Sequence, residues 1–158
     1  MKTLLLGLGN PILGDDAVGW RIAEKVKERI EESTAEIEVD CASLGGLALM
    51  ERLEGYQRAL LVDAIHTGQT LPGTLHHLSL EDLPSLYANS SHDVSLKQAI
   101  ETGRKLGLQL PEEIQILAVE IDNRWELSEG LSPAVEAGMA VAVEEAVEIL
   151  NSPQFRCK

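Results

Sequence analysis

The sequence predicts an α/β fold, specifically a three-layer α/β/α sandwich around a twisted, mostly parallel five-stranded sheet of the phosphorylase/hydrolase-like type. Short, continuously apolar runs, typical of strands buried on both faces, alternate with longer segments of amphipathic helical periodicity. This alternating order favours parallel strands joined by crossover helices. The length of 158 residues suits one domain, which we predict over residues 1–150, with a loose tail over 151–158.

Hydrophobic periodicity and turn residues define the individual elements. The predicted strands are 3–8, 37–41, 59–62, 74–80 and 114–121. The predicted helices are 16–32, 46–53, 96–106 and 133–150. Strand 74–80 is the least apolar, and we expect it at an edge of the sheet. Ser132 is the expected N-cap of the last helix, because Pro133 follows in its first turn.

Composition excludes several classes of partner. The chain has 26 acidic and 13 basic residues, a net charge of -13, whereas nucleic acids and anionic membranes both attract clustered Lys and Arg. No apolar run approaches the roughly 20 residues of a membrane-spanning helix. The two cysteines, Cys41 and Cys157, are far apart and form no CxxC motif. We therefore predict a cytoplasmic protein without a nucleic-acid or membrane partner.

Acidic side chains follow three of the predicted strands. Asp15 and Asp16 come after the first strand, Asp40 after the second and Asp63 after the third. The carboxyl ends of parallel strands meet at one edge of the sheet, where functional groups of α/β proteins gather. His92 precedes a predicted helix and, in a loop, could lean over the same edge. Two or three carboxylates with one imidazole suit a divalent transition metal.

Each of these residues also has an ordinary structural role open to it. Asp15 and Asp16 suit the N-terminus of a helix, both as caps and as charges that complement its dipole. Asp63 suits a strand end, and His92 suits a surface loop. The acids and His92 indicate a site only when they are taken together, and no single one of them does.

The remaining histidines and Cys41 are weaker candidates. His76 and His77 are adjacent in a predicted strand and therefore face opposite sides, so they cannot share one site. We interpret both, together with His66, as surface residues. Cys41 has no sequence context of a nucleophile, and we expect a small buried hydrophobe.

The Gly7-Leu8-Gly9 turn raises a dinucleotide-binding alternative. Ile12 stands where the third glycine of that motif belongs, and Pro11 lacks the backbone N–H that a phosphate would use. Asp40 stands where a ribose-binding acid would lie, which keeps this alternative open.

The segment 7–19, GLGNPILGDDAVG, closely resembles the opening motif of the hydrogenase maturation proteases. Segments 61–64 (LVDA), 91–96 (SHDVSL) and 130–135 (GLSPAV) resemble the third-strand motif, the histidine motif and the last-helix motif of that family. Together these motifs span nearly the whole chain in the expected order.

The resemblance implies a nickel-dependent, metal-assisted endopeptidase of aspartic type. Its partner would be the large-subunit precursor of a nickel-iron hydrogenase, from which it removes a C-terminal extension after nickel insertion. Asp16, Asp63 and His92 match the family residues that bind this nickel, which the precursor presents and the protease does not hold permanently. Asp15 or Asp40 could serve as an auxiliary general base. Because the chain has no long heptad pattern, we expect a monomer.

The chain departs from the family pattern at two places, and two other functions stay open. The family usually has an Asp-Gly-Gly-Thr turn where this chain has residues 40–43, DCAS, and Gly-Ile-Glu/Gln-Pro where it has 119–122, VEID. Peptidyl-tRNA hydrolases share the Gly-Leu-Gly-Asn-Pro opening, but they have a histidine near Trp20 and need a basic surface. A noncatalytic metal-binding or delivery module would use the same acids and histidine.

Overall fold

A computed structural model describes residues 2–30, 36–44, 46–82, 91–122 and 130–152, with only the backbone given for 91–95. Cys157 and residues 153–158 of the predicted tail lie outside these ranges. The described chain reaches residue 152, and its last helix ends at Asn151, one residue into the predicted tail.

A five-stranded sheet forms the centre of the fold, as the sequence predicts. Its strands are β1 (Thr3–Leu8), β2 (Ile37–Ala42), β3 (Arg58–Ile65), β4 (Leu75–Ser79) and β5 (Glu113–Glu120). They lie in the order β2-β1-β3-β5-β4, and all pairs are parallel except β4 with β5. The predicted edge position of the fourth strand is confirmed, and the mostly parallel sheet of the predicted fold class is confirmed as well.

Four helices in the described ranges cover the two faces of the sheet. They are α1 (Val18–Arg29), α2 (Gly46–Leu53), α3 (Ser91–Lys105) and α4 (Pro133–Asn151). Helices α1 and α4 pack on one face, and α2 and α3 pack on the other. No helix among the described residues is both long enough and apolar enough to cross a membrane.

Two helix boundaries differ from the sequence prediction. Helix α1 starts later than predicted, because Gly14–Ala17 forms a separate 3₁₀ turn before it. Helix α3 starts earlier, at Ser91, so His92 belongs to its first turn and the prediction that His92 lies in a loop is wrong. Leu106, expected on the buried face of this helix, lies beyond its end and is 75% exposed.

Alternate side chains along the strands divide the core into two layers. Leu4, Leu6 and Leu61 pack with α2 and α3, whereas Leu5 and Leu60 pack with α1 and α4. Both layers are apolar because a parallel sheet covered by helices has no solvent-facing side. The predicted core positions of α1 and α4 lie in the second layer, either fully or partly buried: Val18, Ile22, Val26, Ile30, Val135, Met139, Val143, Val147 and Leu150.

Two glycines allow α1 to lie directly on the backbone of the sheet. A Cβ atom on Gly19 would lie 2.3 Å from the carbonyl oxygen of Leu8 and 2.4 Å from that of Val62. On the strand side, a Cβ on Gly7 would lie 2.5 Å from the carbonyl oxygen of Gly19. The first turn of α1 therefore contacts the ends of β1 and β3 at a distance that no larger residue allows.

We expect Gly19→Ala to destabilise the protein by about 2 kcal/mol, because backbone atoms at this contact cannot move aside as a flexible side chain can. Helix propensity alone predicts the opposite sign, a gain of about 1 kcal/mol for Gly to Ala. Chemical denaturation of the two proteins measures the difference. Lys25→Ala, on the exposed face of the same helix, is the control and should change stability by less than about 0.5 kcal/mol.

Candidate active site

The candidate site lies at the edge of the sheet where β1, β2 and β3 end. Asp40 lies within β2, inside the predicted strand 37–41, whereas Asp63 lies within β3 and not after it as predicted, because β3 continues to Ile65. Asp40 and Asp63 are therefore fixed by strand pairing and not by loops. Asp15 and Asp16 belong to the 3₁₀ turn between β1 and α1.

Asp16 is held by the loop that follows β1. Its Oδ2 atom accepts a hydrogen bond of 2.9 Å from the backbone N–H of Asn10, and its own N–H donates to the carbonyl oxygen of Leu13 at 3.0 Å. Gly9, at φ +127°, makes this turn possible, since a Cβ there would lie 2.1 Å from the Asp16 carbonyl oxygen. Burial raises the pKa of Asp16 above its ordinary 3.8, against the opposing effect of the Asn10 N–H.

Asp63 lies beside the same turn. A Cβ on Gly19 would meet the Asp63 Cα at 3.1 Å, and the 3₁₀ turn that contains Asp16 also contacts β3. The Asp63 side chain is half-buried, and its Oδ1 accepts a hydrogen bond of 2.8 Å from the N–H of Ala64. The close packing of α1 on the sheet thus brings the two predicted acids, Asp16 and Asp63, to one corner of the edge.

His92 is in the first turn of α3, and its side chain lies outside the described residues. The far end of α3 is fixed near the start of β5, where Arg104 donates to the carbonyl oxygen of Pro111 at 2.8 Å. Fifteen helical residues span about 22 Å, enough to bring the first turn toward the opposite edge of the sheet. The first turn of α3 therefore lies about 22 Å along the helix axis from the end that is fixed near β5.

The donors at this corner suit a divalent transition metal. Carboxylate oxygens with an imidazole nitrogen bind ions such as nickel, whereas a softer metal would favour thiolates. Among the side chains that the structure describes, which exclude that of His92, no three His, Cys, Asp or Glu groups form a metal-binding cluster. The described side chains at this corner therefore supply two carboxylate donors, Asp16 and Asp63.

Asp15 connects the 3₁₀ turn to the last helix. Its two oxygens accept hydrogen bonds from the Ser132 N–H at 2.7 Å and from the Ser132 hydroxyl at 2.8 Å. Ser132 has the extended backbone of an N-cap, as predicted, but its hydroxyl donates to Asp15 and makes no capping bond to its own helix. Asp15 thereby joins two chain segments that are 117 residues apart.

Asp40 belongs to a polar network on the α2 side of the sheet. Its Oδ2 accepts hydrogen bonds from Arg52 Nε at 3.0 Å and Nη2 at 2.9 Å, and Arg52 also binds Glu38 and Tyr56. Burial acts to raise the pKa of Asp40, but the bonds from Arg52 and from the Cys41 N–H outweigh it and lower the pKa. β1 separates β2 from β3, and Asp40 is in register with Leu61, so Asp40 and Asp63 are two strand spacings, about 10 Å, apart across the sheet and two residues offset along it.

The other candidates have structural partners. His66 and His77 are exposed; His66 contacts the carbonyl oxygen of Ile121, and His77 contacts Glu145 at 2.8 Å. His76 faces the side of β4 opposite to His77, as predicted. The prediction that His76 is a surface residue is wrong, because only 16% of its side chain is exposed. Burial raises the pKa of Cys41, which fits a half-buried thiol and not an activated nucleophile.

Glu120 is a buried acid that the sequence does not mark as a site residue. It belongs to the segment 119–122, VEID, which departs from the family pattern. It ends β5, is 1% exposed and accepts hydrogen bonds from the Thr67 N–H at 2.7 Å, the Thr67 hydroxyl and the Thr70 hydroxyl at 2.7 Å. Burial acts to raise its pKa, but these donors outweigh that effect and lower it below 4.5. A lone acid inside the apolar run 114–121 is the sequence signal that points to such a role.

The loop 66–74 should therefore loosen in acid. Because the folded pKa of Glu120 is lowered, its stabilising effect is complete above about pH 5 and is lost as the pH falls through the folded value. We expect Glu120→Gln to be less stable than the wild type at pH 7, with a smaller loss of stability between pH 5 and pH 3. Denaturation curves over this range measure it; equal pH dependence of the two proteins would contradict the assignment.

Comparison with known proteins gives a consistent answer. The family model for hydrogenase maturation proteases matches residues 20–149. The hydrogenase 2 maturation protease of Escherichia coli K12 is 30% identical over 153 residues, which cover 96% of this chain and 92% of that protein. A putative hydrogenase maturation protease of Methanocaldococcus jannaschii is 25% identical over 150 residues, 93% of this chain and 92% of that protein.

Solved structures agree with the sequence comparison. The hydrogenase-maturating endopeptidase HybD from E. coli superposes with a TM-score of 0.79 at 30% identity, over 95% of this chain and 92% of that chain. A hydrogenase 2 maturation peptidase from a Thaumarchaeota archaeon superposes with a TM-score of 0.64 at 26% identity, over 96% of this chain and 99% of that chain. The resemblance seen in the sequence motifs is confirmed, and this chain belongs to the hydrogenase maturation protease family.

Proposed function

We propose that this endopeptidase removes the C-terminal extension of a nickel-iron hydrogenase large-subunit precursor after nickel has been inserted. The observation that carries the proposal is the corner formed by Asp16 and Asp63, where α1 lies directly on the ends of β1 and β3. Two acids held at one corner of a parallel sheet provide oxygen ligands at the edge where α/β proteins bind their substrates.

Asp16, Asp63 and His92 are the proposed ligands of the nickel that the precursor carries. Bound there, this nickel would supply a Lewis-acid centre next to the peptide bond to be cut. One oxygen of Asp16 is occupied by the Asn10 N–H, a bond that orients the carboxylate. The protease residues thus fix the position of the precursor relative to the sheet edge, which is the part of catalysis that geometry supplies.

The electrostatics of Asp16 favour a metal-loaded substrate over a metal-free one. Burial raises the pKa of Asp16 because its negative charge is partly removed from water. A cation brought against this carboxylate offsets the cost, whereas a precursor without metal leaves it uncompensated. Release of the extension would then depend on whether nickel insertion is complete.

Asp15 and Asp40 are assigned to holding the site and not to proton transfer. Both oxygens of Asp15 accept bonds from Ser132, and Asp40 is bound to Arg52 with a lowered pKa. A general base works best with a pKa near the working pH, and a lowered carboxyl pKa moves away from it. In this proposal the groups at the corner, and not Asp15 or Asp40, would therefore orient the attacking water.

A cytoplasmic monomer is the proposed working form. Cys41 is a free thiol in the described chain, as expected in a reducing compartment, and the large subunit is the only partner that this proposal requires.

Incubation with nickel-loaded and nickel-free precursors tests the proposal directly. We expect the mass of the loaded precursor alone to fall by that of its C-terminal extension. Cleavage of both forms would contradict the nickel requirement. If neither a verified loaded precursor nor its nickel-free form is cut, stable binding of free nickel by the protein would favour a metal-delivery module instead.

Replacement of any of the three proposed nickel ligands should remove activity without unfolding the protein. We expect Asp16→Asn, Asp63→Asn and His92→Ala each to lower the cleavage rate of the loaded precursor by about 100-fold or more, since small displacements of a reacting group have effects of that size. Glu101→Gln, an exposed acid on α3, is the control and should cleave at the wild-type rate. Normal cleavage by Asp16→Asn would rule out its assignment as a ligand.

A further inference from the structure

Exposed aliphatic side chains concentrate at the edge that carries Asp16 and Asp63. Six large hydrophobic side chains are exposed in the described part of the chain. Four of them lie in segments that follow β1, β2 and β3: Ile12, Leu44, Leu47 and Leu71. The first three are 55%, 40% and 65% exposed; Ile12 lies in the loop after β1, Leu44 in the loop after the neighbouring strand β2, and Leu47 in the first turn of α2, which follows that loop. We call Ile12, Leu44 and Leu47 the apolar platform.

The two chain segments that carry the platform contain no charged residues. Residues 3–14 and 41–50 contain no Asp, Glu, Lys or Arg, although such residues make up 25% of the sequence. These segments have no charged side chain to pair with a charged partner, so the platform side chains contribute free energy by removing aliphatic area from water. Its occupant should therefore be an uncharged, aliphatic segment.

Hydrogen bonds hold the platform loops in place. The Ser43 hydroxyl donates to the Gly9 carbonyl oxygen at 2.6 Å, which joins the loop after β2 to the loop after β1. Within the latter, the Ile12 N–H donates to the Asn10 side chain at 3.1 Å, and the Asn10 N–H binds Asp16. Ile12 is thus presented by the same loop that orients the proposed metal ligand, so its distance from the corner is fixed.

We propose that the apolar platform binds an aliphatic segment of the polypeptide substrate next to the bond that is cut. An endopeptidase must hold its substrate chain along the edge where cleavage occurs, and the platform begins four residues from Asp16. Because this segment lies beside the corner, the inference rests on the proposed function of that corner. It adds a requirement for aliphatic side chains in the precursor, independent of its metal.

The same chain offers matched controls for a test. Leu106 and Val141 are 75% and 53% exposed, and they lie away from the platform, after α3 and on the outer face of α4. Ile12→Ser and Leu47→Ser remove platform area, and Leu106→Ser and Val141→Ser remove a similar exposed area elsewhere. All four positions are exposed, so little loss of stability is expected, and thermal unfolding of each variant verifies it.

Steady-state cleavage of the nickel-loaded precursor is the measurement. We expect KM to rise about tenfold for each platform variant with kcat nearly unchanged, because burial of one aliphatic side chain contributes an amount of that order. The control variants should keep the wild-type KM. If the wild-type protein cleaves the precursor and the platform variants have the same KM as the control variants, this inference is overturned and the proposed function is not. A wild type that cleaves no loaded precursor would overturn the proposed function, and the platform inference with it.

Discussion

The contact of α1 with the backbone of β1 and β3 is the constraint on which the rest of the site depends. Gly7 and Gly19 remove the side chains that would otherwise keep the helix at an ordinary helix-to-sheet distance. As a result, the 3₁₀ turn that carries Asp16 lies against β3, the strand that carries Asp63. The glycines that resemble a phosphate-binding turn have a packing role here, and the Asn10 N–H that a phosphate would need is bonded to Asp16.

Four acids at or near the sheet edge have different properties because each has a different partner. Asp15 accepts bonds from Ser132, Asp40 is bound by Arg52, and Glu120 is surrounded by hydroxyl and amide donors. Among the described residues Asp16 accepts one hydrogen bond, from the Asn10 N–H, and its burial raises its pKa against that bond, whereas the partners of Asp40 and Glu120 lower theirs. Of these acids, Asp16 is the carboxylate whose charge is least stabilised by partners, which suits the cation binding that we propose for it.

The edge combines two kinds of recognition surface. The corner of Asp16 and Asp63 offers oxygen ligands, and the apolar platform beside it offers aliphatic area without charge. The loop between Gly9 and Asp16 contributes to both, because Asn10 binds the acid and orients the backbone of Ile12. In the proposed function one short, hydrogen-bonded loop would therefore serve both metal recognition and peptide recognition, and its conformation depends on the positive φ of Gly9.

Local sequence determined the elements of this protein, and tertiary packing determined which acids act together. The apolar strands, the helical periodicity and the order of motifs were sufficient to predict the fold class and the edge strand, because the spacing of apolar residues follows from local strand and helix geometry. The bonds of Asp15 to Ser132 and of Asp40 to Arg52 join residues 117 and 12 positions apart, and no local pattern encodes such pairs. The burial of Glu120 was likewise decided by packing, since burial depends on what the folded chain places above a residue and not on its sequence neighbours.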